Sequence, residues 1–242
     1  MTIQLISFDL DDTLWFLDDV IHKAEQRMYS VFENNLKDQG IQRDPLTSSE
    51  WQIIAHQQAE HLTAIAHDMS AMRIEILRYL YTSSGVSAKL ALALAEDTFH
   101  QMWLERIQVT PFNNVIDVLN RLGQRYKIAA LSNGNACLKH VALDHLFDWH
   151  FQPADTGAKK PDAQMFQHLL NSAGVKAQET IHVGDNPRED VQGALEFGIY
   201  PVWANYRQND WPLESQISQP LTIHSFGEIE SAIEQINQAS NR

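Results

Sequence analysis

Three short apolar segments in this 242-residue chain each run straight into a polar cluster. Ile3 to Phe8 leads into Asp9-Leu10-Asp11-Asp12-Thr13. Lys127 to Leu131 leads into Ser132-Asn133-Gly134-Asn135, and Thr180 to Val183 into Gly184-Asp185. Short runs of this composition predict buried strands. Helical patterns separate or follow them at Asn113–Gln124, Asn135–Leu146, Ala163–Ala173, Val191–Phe197 and Phe226–Ile236. Further strands are expected at Ile199–Trp203 and Leu221–His224. Such alternation requires a parallel sheet covered by helices on both faces. Right-handed crossovers then bring the strand ends to one edge. Ligands of open parallel sheets bind outside the carboxyl ends of the strands, so the three clusters are expected to converge on one crevice.

The stretch from about Trp15 to Val109 is different, with long helical patterns and almost no strand signal. A helix from Asp18 to Gln39 ends at Gly40, and Ser48 or Ser49 is the expected cap of the next. Helical spacing runs from Trp51 to His67, from Met69 to Tyr81 and from Ser87 to Ile107, with a break at Ser83-Ser84-Gly85. The expected class is therefore α/β: a Rossmann-like, doubly wound parallel core (1–14 and 110–242) interrupted by an all-helical domain (15–109).

Hydrophobic residues make up 44% of the chain, enough to bury a core of this size. No apolar run approaches bilayer length, and the N-terminus lacks a basic region followed by a long apolar stretch. No signal peptide and no membrane association are expected. Cys137 is the only cysteine, which excludes an intrachain disulfide and fits a cytoplasmic setting. The net charge of −13 argues against nucleic acid and anionic lipid as partners, since both need a positive field.

Asp9 and Asp11 stand two residues apart, so on extended backbone their carboxylates point the same way. Close carboxylates repel, and a divalent cation balances them; carboxylate oxygens suit Mg²⁺. Asp185, arriving from another strand, supplies a further ligand. Taken alone, Asp11-Asp12-Thr13 is equally well a capped strand-to-helix turn. Ser132 and Asn133 could cap a helix or cradle a phosphate. Lys160, before Pro161, could be a solvated surface group or could neutralise a phosphate. Gly184 allows close backbone approach, while Asp185 and Asp190 bracket a turn. Each cluster has a bland explanation of its own; the four together, in this order, do not share one.

The combination resembles the haloacid dehalogenase-like hydrolases. Their four motifs appear as Asp9-Leu10-Asp11-Asp12-Thr13, Leu131-Ser132-Asn133, Lys160-Pro161-Asp162 and Gly184-Asp185 through Asp190. The resemblance covers essentially the whole chain, including a helical cap inserted after the first motif. It implies a Mg²⁺-dependent phosphatase acting on a small phosphorylated metabolite, as a monomer or homodimer. Asp9 would be the nucleophile that forms an aspartyl-phosphate, and Asp11 the general acid and base. Mg²⁺ would bind Asp9, the backbone carbonyl of Asp11, and Asp185, with Asp190 acting directly or through water. Thr13 would fix the Asp11 region, and Ser132, Asn133 and Lys160 would form the phosphoryl site. The Ser-Asn-Gly-Asn form of the second motif is similar to bacterial phosphatases of flavin mononucleotide and ribityl phosphates.

The same scaffold supports a 2-haloacid dehalogenase, which needs neither Mg²⁺ nor an acid at the Asp11 position. It also supports a sugar-phosphate mutase, which shares all four motifs. A phosphonate hydrolase would need a Schiff-base lysine in the cap, and Lys23 and Lys89 sit in no such pattern. A non-catalytic binding protein would be marked by loss of a carboxylate, and none is lost. His22, His56, His61 and His67 lack the spacing of a metal pair. Trp15, Phe16 and Trp51 are aromatic candidates for contact with a leaving group, with core packing the competing role.

Overall fold

The computed structural model describes residues 2–240, without the side chains of Asp19 and Ser240. The elements run β1 (Leu5–Phe8), α1 (Asp18–Asp38), α2 (Ser48–Ala59), α3 (Met69–Ser83), α4 (Ala88–Arg106), α5 (Val115–Gly123), β2 (Lys127–Leu131) and β3 (Trp149–Phe151). They continue with α6 (Pro153–Thr156), α7 (Ala163–Ala173), β4 (Thr180–Gly184), a π-helical turn (Pro187–Gln192), α8 (Gly193–Glu196), β5 (Tyr200–Ala204), β6 (Leu221–Ile223) and α9 (Ile229–Ser240). The chain forms two compact units, one of Met1–Leu17 with Val109–Arg242 and one of Asp18–Gln108.

The first unit is built on a six-stranded sheet in the order β3-β2-β1-β4-β5-β6, with every pairing parallel. It has the Rossmann-like α/β architecture expected from the strand pattern. Alternation along the strands sorts their side chains between two layers. Ile6, Phe8, Ile128, Ala130, Ile181 and Val183 enter the layer that holds Val118, Leu119 and Leu122 of α5. Leu5, Ala129 and Leu131 enter the opposite layer with Met165, Phe166 and Leu169 of α7. Phe8 is in register with Ala130 of β2 and Val183 of β4, so the three strands end at one level.

The helical unit contains no strand among its described residues. Ala24, Met28, Phe32 and Leu36 recur every fourth residue along α1 and are buried with Leu77, Leu80 and Tyr81 of α3 and Ala91, Ala95 and Met102 of α4. The Tyr81 hydroxyl would cost free energy if buried alone. It lies 2.6 Å from Thr98 Oγ1 and accepts from Asn35 Nδ2 at 2.9 Å.

Several sequence expectations need correction. The cap of α2 is Thr47, not Ser48 or Ser49: its hydroxyl accepts from Glu50 N, and Glu50 Oε2 accepts from Thr47 N in a reciprocal capping box. Residues 135–146 are not a helix but a series of tight turns, with φ +55° at Ala142, ending in a 3₁₀ turn at Asp144–Leu146. Ala136, Leu138 and Leu143 are buried there, two and five residues apart rather than at helical intervals. The short strand β3 was not anticipated. The helix expected from Val191 begins earlier, as a π-helical turn at Pro187.

Phe32 is fully buried between the rings of Trp51 and Tyr81, with centroids 5.1 and 4.7 Å away. Phe32→Ala is expected to destabilise the protein by about 3–5 kcal/mol, the range for truncating a core aromatic, read as a lower urea midpoint.

Candidate active site

The backbone sets the site before any side chain does. Asp9 continues β1 beyond Phe8, and its N–H donates to Val183 O at 2.8 Å. The chain then turns: Thr13 and Leu14 N–H groups return to Leu10 O, and Asp12 takes φ +56°. Extended geometry thus ends near Asp11, which forms an isolated bridge with Trp15. The Trp15 indole N–H donates to Asp11 Oδ1 at 2.8 Å.

Asp9, Asp185 and Asp190 can each place one carboxylate oxygen within 4.8 Å of the others. Among the described residues this is the only cluster of metal-ligating side chains of its kind, and the Asp11 carboxylate is not part of it. Lys160 is 1% exposed, and its ammonium lies 2.6 Å from Asp9 Oδ1 and 2.6 Å from Asp190 Oδ1. Asp190 is further held by His182 Nε2 at 3.0 Å and by the Asn186 N–H, which reaches Oδ2 at 3.0 Å. Gly184 makes room for it: a Cβ there would fall inside the Asp190 side chain, 2.6 Å from its Cβ.

The second and third motifs lock together. Asn133 Nδ2 donates to Lys160 O and to Glu189 Oε2, both at 2.9 Å, and Asn133 Oδ1 accepts from Lys160 N at 2.7 Å. Its amide therefore fixes the lysine loop. Ser132 is 1% exposed, and its Oγ accepts from Gly134 N at 3.1 Å, which leaves the hydroxyl proton to donate. The Thr13 hydroxyl is fully buried and has no hydrogen-bond partner. Asp185 is held through its backbone, whose carbonyl accepts from Trp203 Nε1 at 2.8 Å.

The electrostatics follow from two buried carboxylates, Asp9 and Asp190, and a half-buried one, Asp185, facing one ammonium. Burial pushes Asp9 up, Lys160 pulls it down, and Asp190 and Asp11 push it up again; the result is about 8. Burial first, then Asp190 and Asp9, drive Asp185 to about 9. Burial also opposes ionisation of Asp190, but Lys160 and His182 outweigh it and hold Asp190 well below the usual carboxylate range. Burial would neutralise Lys160, and Asp190 and Asp9 more than reverse that, raising its pKa. Two of the three carboxylates thus hold protons that a divalent cation would displace. The oxygen-only donor set and its excess negative charge fit a hard cation such as Mg²⁺.

A cavity of about 290 Å³ adjoins Asp185, lined by Asp12, Phe16, Trp203, Tyr206 and Arg207 among others. Arg207 pairs with Asp12 at 2.9 Å and lies over the Phe16 ring. Trp51 is buried and serves packing, Trp15 is buried and also holds Asp11, and Phe16 is 43% exposed. His22, His56 and His61 are exposed and His67 half-buried. Four residues that complete the site were not singled out from sequence: Ser7, His182, Glu189 and Trp203.

A family model described as haloacid dehalogenase-like hydrolase matches residues 3–198. The chain belongs to the haloacid dehalogenase-like hydrolases. It is 26% identical over 243 residues to 5-amino-6-(5-phospho-D-ribitylamino)uracil phosphatase YigB of Escherichia coli (strain K12), covering 96% of both chains. It is 24% identical to a glyceraldehyde 3-phosphate phosphatase of Methanothermobacter thermautotrophicus over 84% of this chain and 86% of that one. Among solved structures, a 2-haloacid dehalogenase from Pseudomonas syringae pv. Tomato superposes with a TM-score of 0.87 at 28% identity, covering 97% of this chain and 99% of that one. The protein is an enzyme of this hydrolase family with phosphatases among its relatives. No helix among its described residues is long and apolar enough to cross a membrane.

Around neutral pH the carboxyls of Asp9 and Asp185 are the acids whose ionisation folding opposes most strongly. Both stay protonated in the metal-free fold but ionise near 3.8 when unfolded. The folded state then binds more protons, so stability falls as pH rises. The melting temperature of metal-free protein is expected to drop from about pH 7 to 9, and added Mg²⁺ to restore it more fully at the upper end. A flat metal-free profile would refute the protonated pair.

Proposed function

We propose that this enzyme is a Mg²⁺-dependent phosphomonoesterase that works through an aspartyl-phosphate on Asp9. The observation that carries this reading is Lys160, enclosed between Asp9 and Asp190 beside Asp185. An anionic nucleophile must approach an anionic substrate there, and one lysine cannot offset both. Asp9, Asp185 and the Asp11 carbonyl would hold the cation, with Asp190 behind them. When bound, Mg²⁺ supplies the positive charge that keeps Asp9 ionised and neutralises the phosphoryl oxygens.

Asp9 attacks phosphorus while the bond from phosphorus to the ester oxygen breaks. Asp11, held by Trp15, gives its proton to that leaving oxygen. The resulting Asp11 carboxylate then takes a proton from water as the water attacks phosphorus. Cleavage of the bond from phosphorus to Asp9 releases phosphate and regenerates both groups. Ser132 donates its hydroxyl proton to the phosphoryl group, and Lys160 offsets charge on it and on Asp9.

The helical unit is assigned the role of a cap that selects the leaving group. Relatives named for ribityl and triose phosphates favour a small phosphorylated metabolite, with flavin mononucleotide or a ribityl or sugar phosphate first to test. A cytoplasmic setting fits a chain with one cysteine. The dehalogenase named among the similar structures is the second reading. The three-carboxylate cluster and the acid at Asp11 favour phosphate over halide as the leaving chemistry.

The test is phosphate release from a panel of phosphorylated metabolites and p-nitrophenyl phosphate, with Mg²⁺ and with EDTA. Mg²⁺-dependent release is expected; chloride release from 2-chloropropionate without phosphate release would replace the phosphatase with the dehalogenase. Asp9→Asn is expected to abolish turnover while leaving the melting temperature near that of the wild type or above it. Asp11→Asn is expected to lower kcat by about 10²- to 10⁴-fold, the usual contribution of a general acid and base. Near-normal kcat in that variant would remove Asp11 from proton transfer.

A further inference from the structure

Behind the reacting carboxylates lies a buried chain of polar groups. Ser7 of β1 and His182 of β4 are cross-strand partners in register, on the sheet face covered by α7. Ser7 Oγ lies 2.8 Å from His182 Nδ1, and His182 Nε2 lies 3.0 Å from Asp190 Oδ1. Asp190 Oδ1 meets Lys160 Nζ at 2.6 Å, and Lys160 Nζ meets Asp9 at 2.6 Å. Ser7, His182, Asp190 and Lys160 are each no more than 2% exposed. The Phe166 ring stands edge-on to the imidazole at 5.5 Å and fixes its plane.

Proton positions follow from donor counting. An ionised Asp190 only accepts, so His182 must present its N–H at Nε2. With its proton on Nε2, the ring offers Nδ1 as an acceptor facing the Ser7 hydroxyl. The Ser7 hydroxyl then donates to Nδ1, and the Ile181 carbonyl, 3.3 Å away, is its lesser alternative. Asp190 Oδ1 is occupied by two donors and Oδ2 by the Asn186 N–H. Its carboxylate nonetheless lies within reach of the same point as Asp9 and Asp185. Two roles therefore compete for Asp190: counter-ion to Lys160, or third carboxylate on the metal.

We propose that His182, oriented by Ser7, is a positioning residue that commits Asp190 to Lys160 and withholds it from direct metal coordination. The Lys160 ammonium is thereby held against Asp9, where the nucleophile and the phosphoryl group meet. Hydrogen-bond partners of this kind, one step behind the ligands, commonly carry 10- to 100-fold in affinity or activity. The inference rests on the proposed Mg²⁺ site and, for its kinetic arm, on the proposed phosphatase reaction.

Metal-free protein labelled with ¹⁵N-histidine gives the first test, with the His182 signals assigned by their loss in His182→Gln. A neutral Nε2–H tautomer is expected; an Nδ1–H tautomer or a cationic ring overturns the assignment. His182→Leu removes the donor. It is expected to lower kcat for p-nitrophenyl phosphate by about 10- to 100-fold. Mg²⁺ binding to the metal-free variant, measured calorimetrically, is expected to tighten as Asp190 is released. His182→Gln, whose amide can still donate to Asp190, is expected to recover both properties. Wild-type kcat and wild-type Mg²⁺ affinity together in His182→Leu would overturn the proposal. So would a Gln variant as impaired as the Leu variant. If His182→Leu fails to fold, Ser7→Ala takes its place, with a mixed His182 tautomer and weaker catalysis expected and an unchanged tautomer overturning the role of Ser7. Should wild-type protein release no phosphate at all, the phosphatase reading falls, while the tautomer and Mg²⁺ measurements still decide this one.

Discussion

Lys160 is almost fully enclosed, and the chain keeps it charged by placing Asp190 on one side of its ammonium and Asp9 on the other. An isolated ammonium in such a place would lose its proton, because burial penalises the charged form. Much of the nearby structure serves this pair. Asn133 binds the lysine backbone from both sides, Gly184 clears space for the Asp190 side chain, and the Asn186 N–H fixes its second oxygen. Removing Asp190, the carboxylate held ionised beside Lys160, would leave a buried charge alone and cost more than the pair itself contributes. The site is therefore built as a unit.

That unit is deliberately unbalanced. Asp9 and Asp185 lie in the field of further carboxylates that one lysine does not neutralise, and so their protons are held tightly. A group tuned this way is poor as a bare nucleophile and good as a cation ligand. The same arrangement separates the three aspartates into different states without changing the residue type: Asp190 ionised by its donors, Asp9 and Asp185 awaiting a counter-charge.

The strand ends and the clusters that follow them were legible because burial and polarity change abruptly there, at Phe8, Leu131 and Val183. The helical stretch was legible from the fourfold spacing of Ala24, Met28, Phe32 and Leu36. Other features were not. Turns that bury Ala136, Leu138 and Leu143 carry apolar residues as densely as a helix would, because packing against a core demands them whatever the backbone form. The three-residue strand β3 is too short to show alternation. Asn133 read as a phosphate ligand or cap, and only the fold shows its amide spent on Lys160 and Glu189. His182 was invisible for another reason: strand alternation tells which face a residue occupies but not which side chain it will meet.

Strand β1, which leads into Asp9, sits at the middle of the sheet, yet its two neighbours lie about 120 and 175 residues further along the chain. During synthesis the first strand made can take its second partner only after most of the chain has emerged. The helical unit, drawn from the continuous stretch 18–108, has its whole core sequence in hand long before that. Closure of such distant pairings is slow, since loop entropy is spent before the contacts form. Leu5, Ile6 and Phe8 thus keep one strand edge unpaired until β4 has been made, which leaves the apolar segment that leads into Asp9 open to aggregation for most of translation.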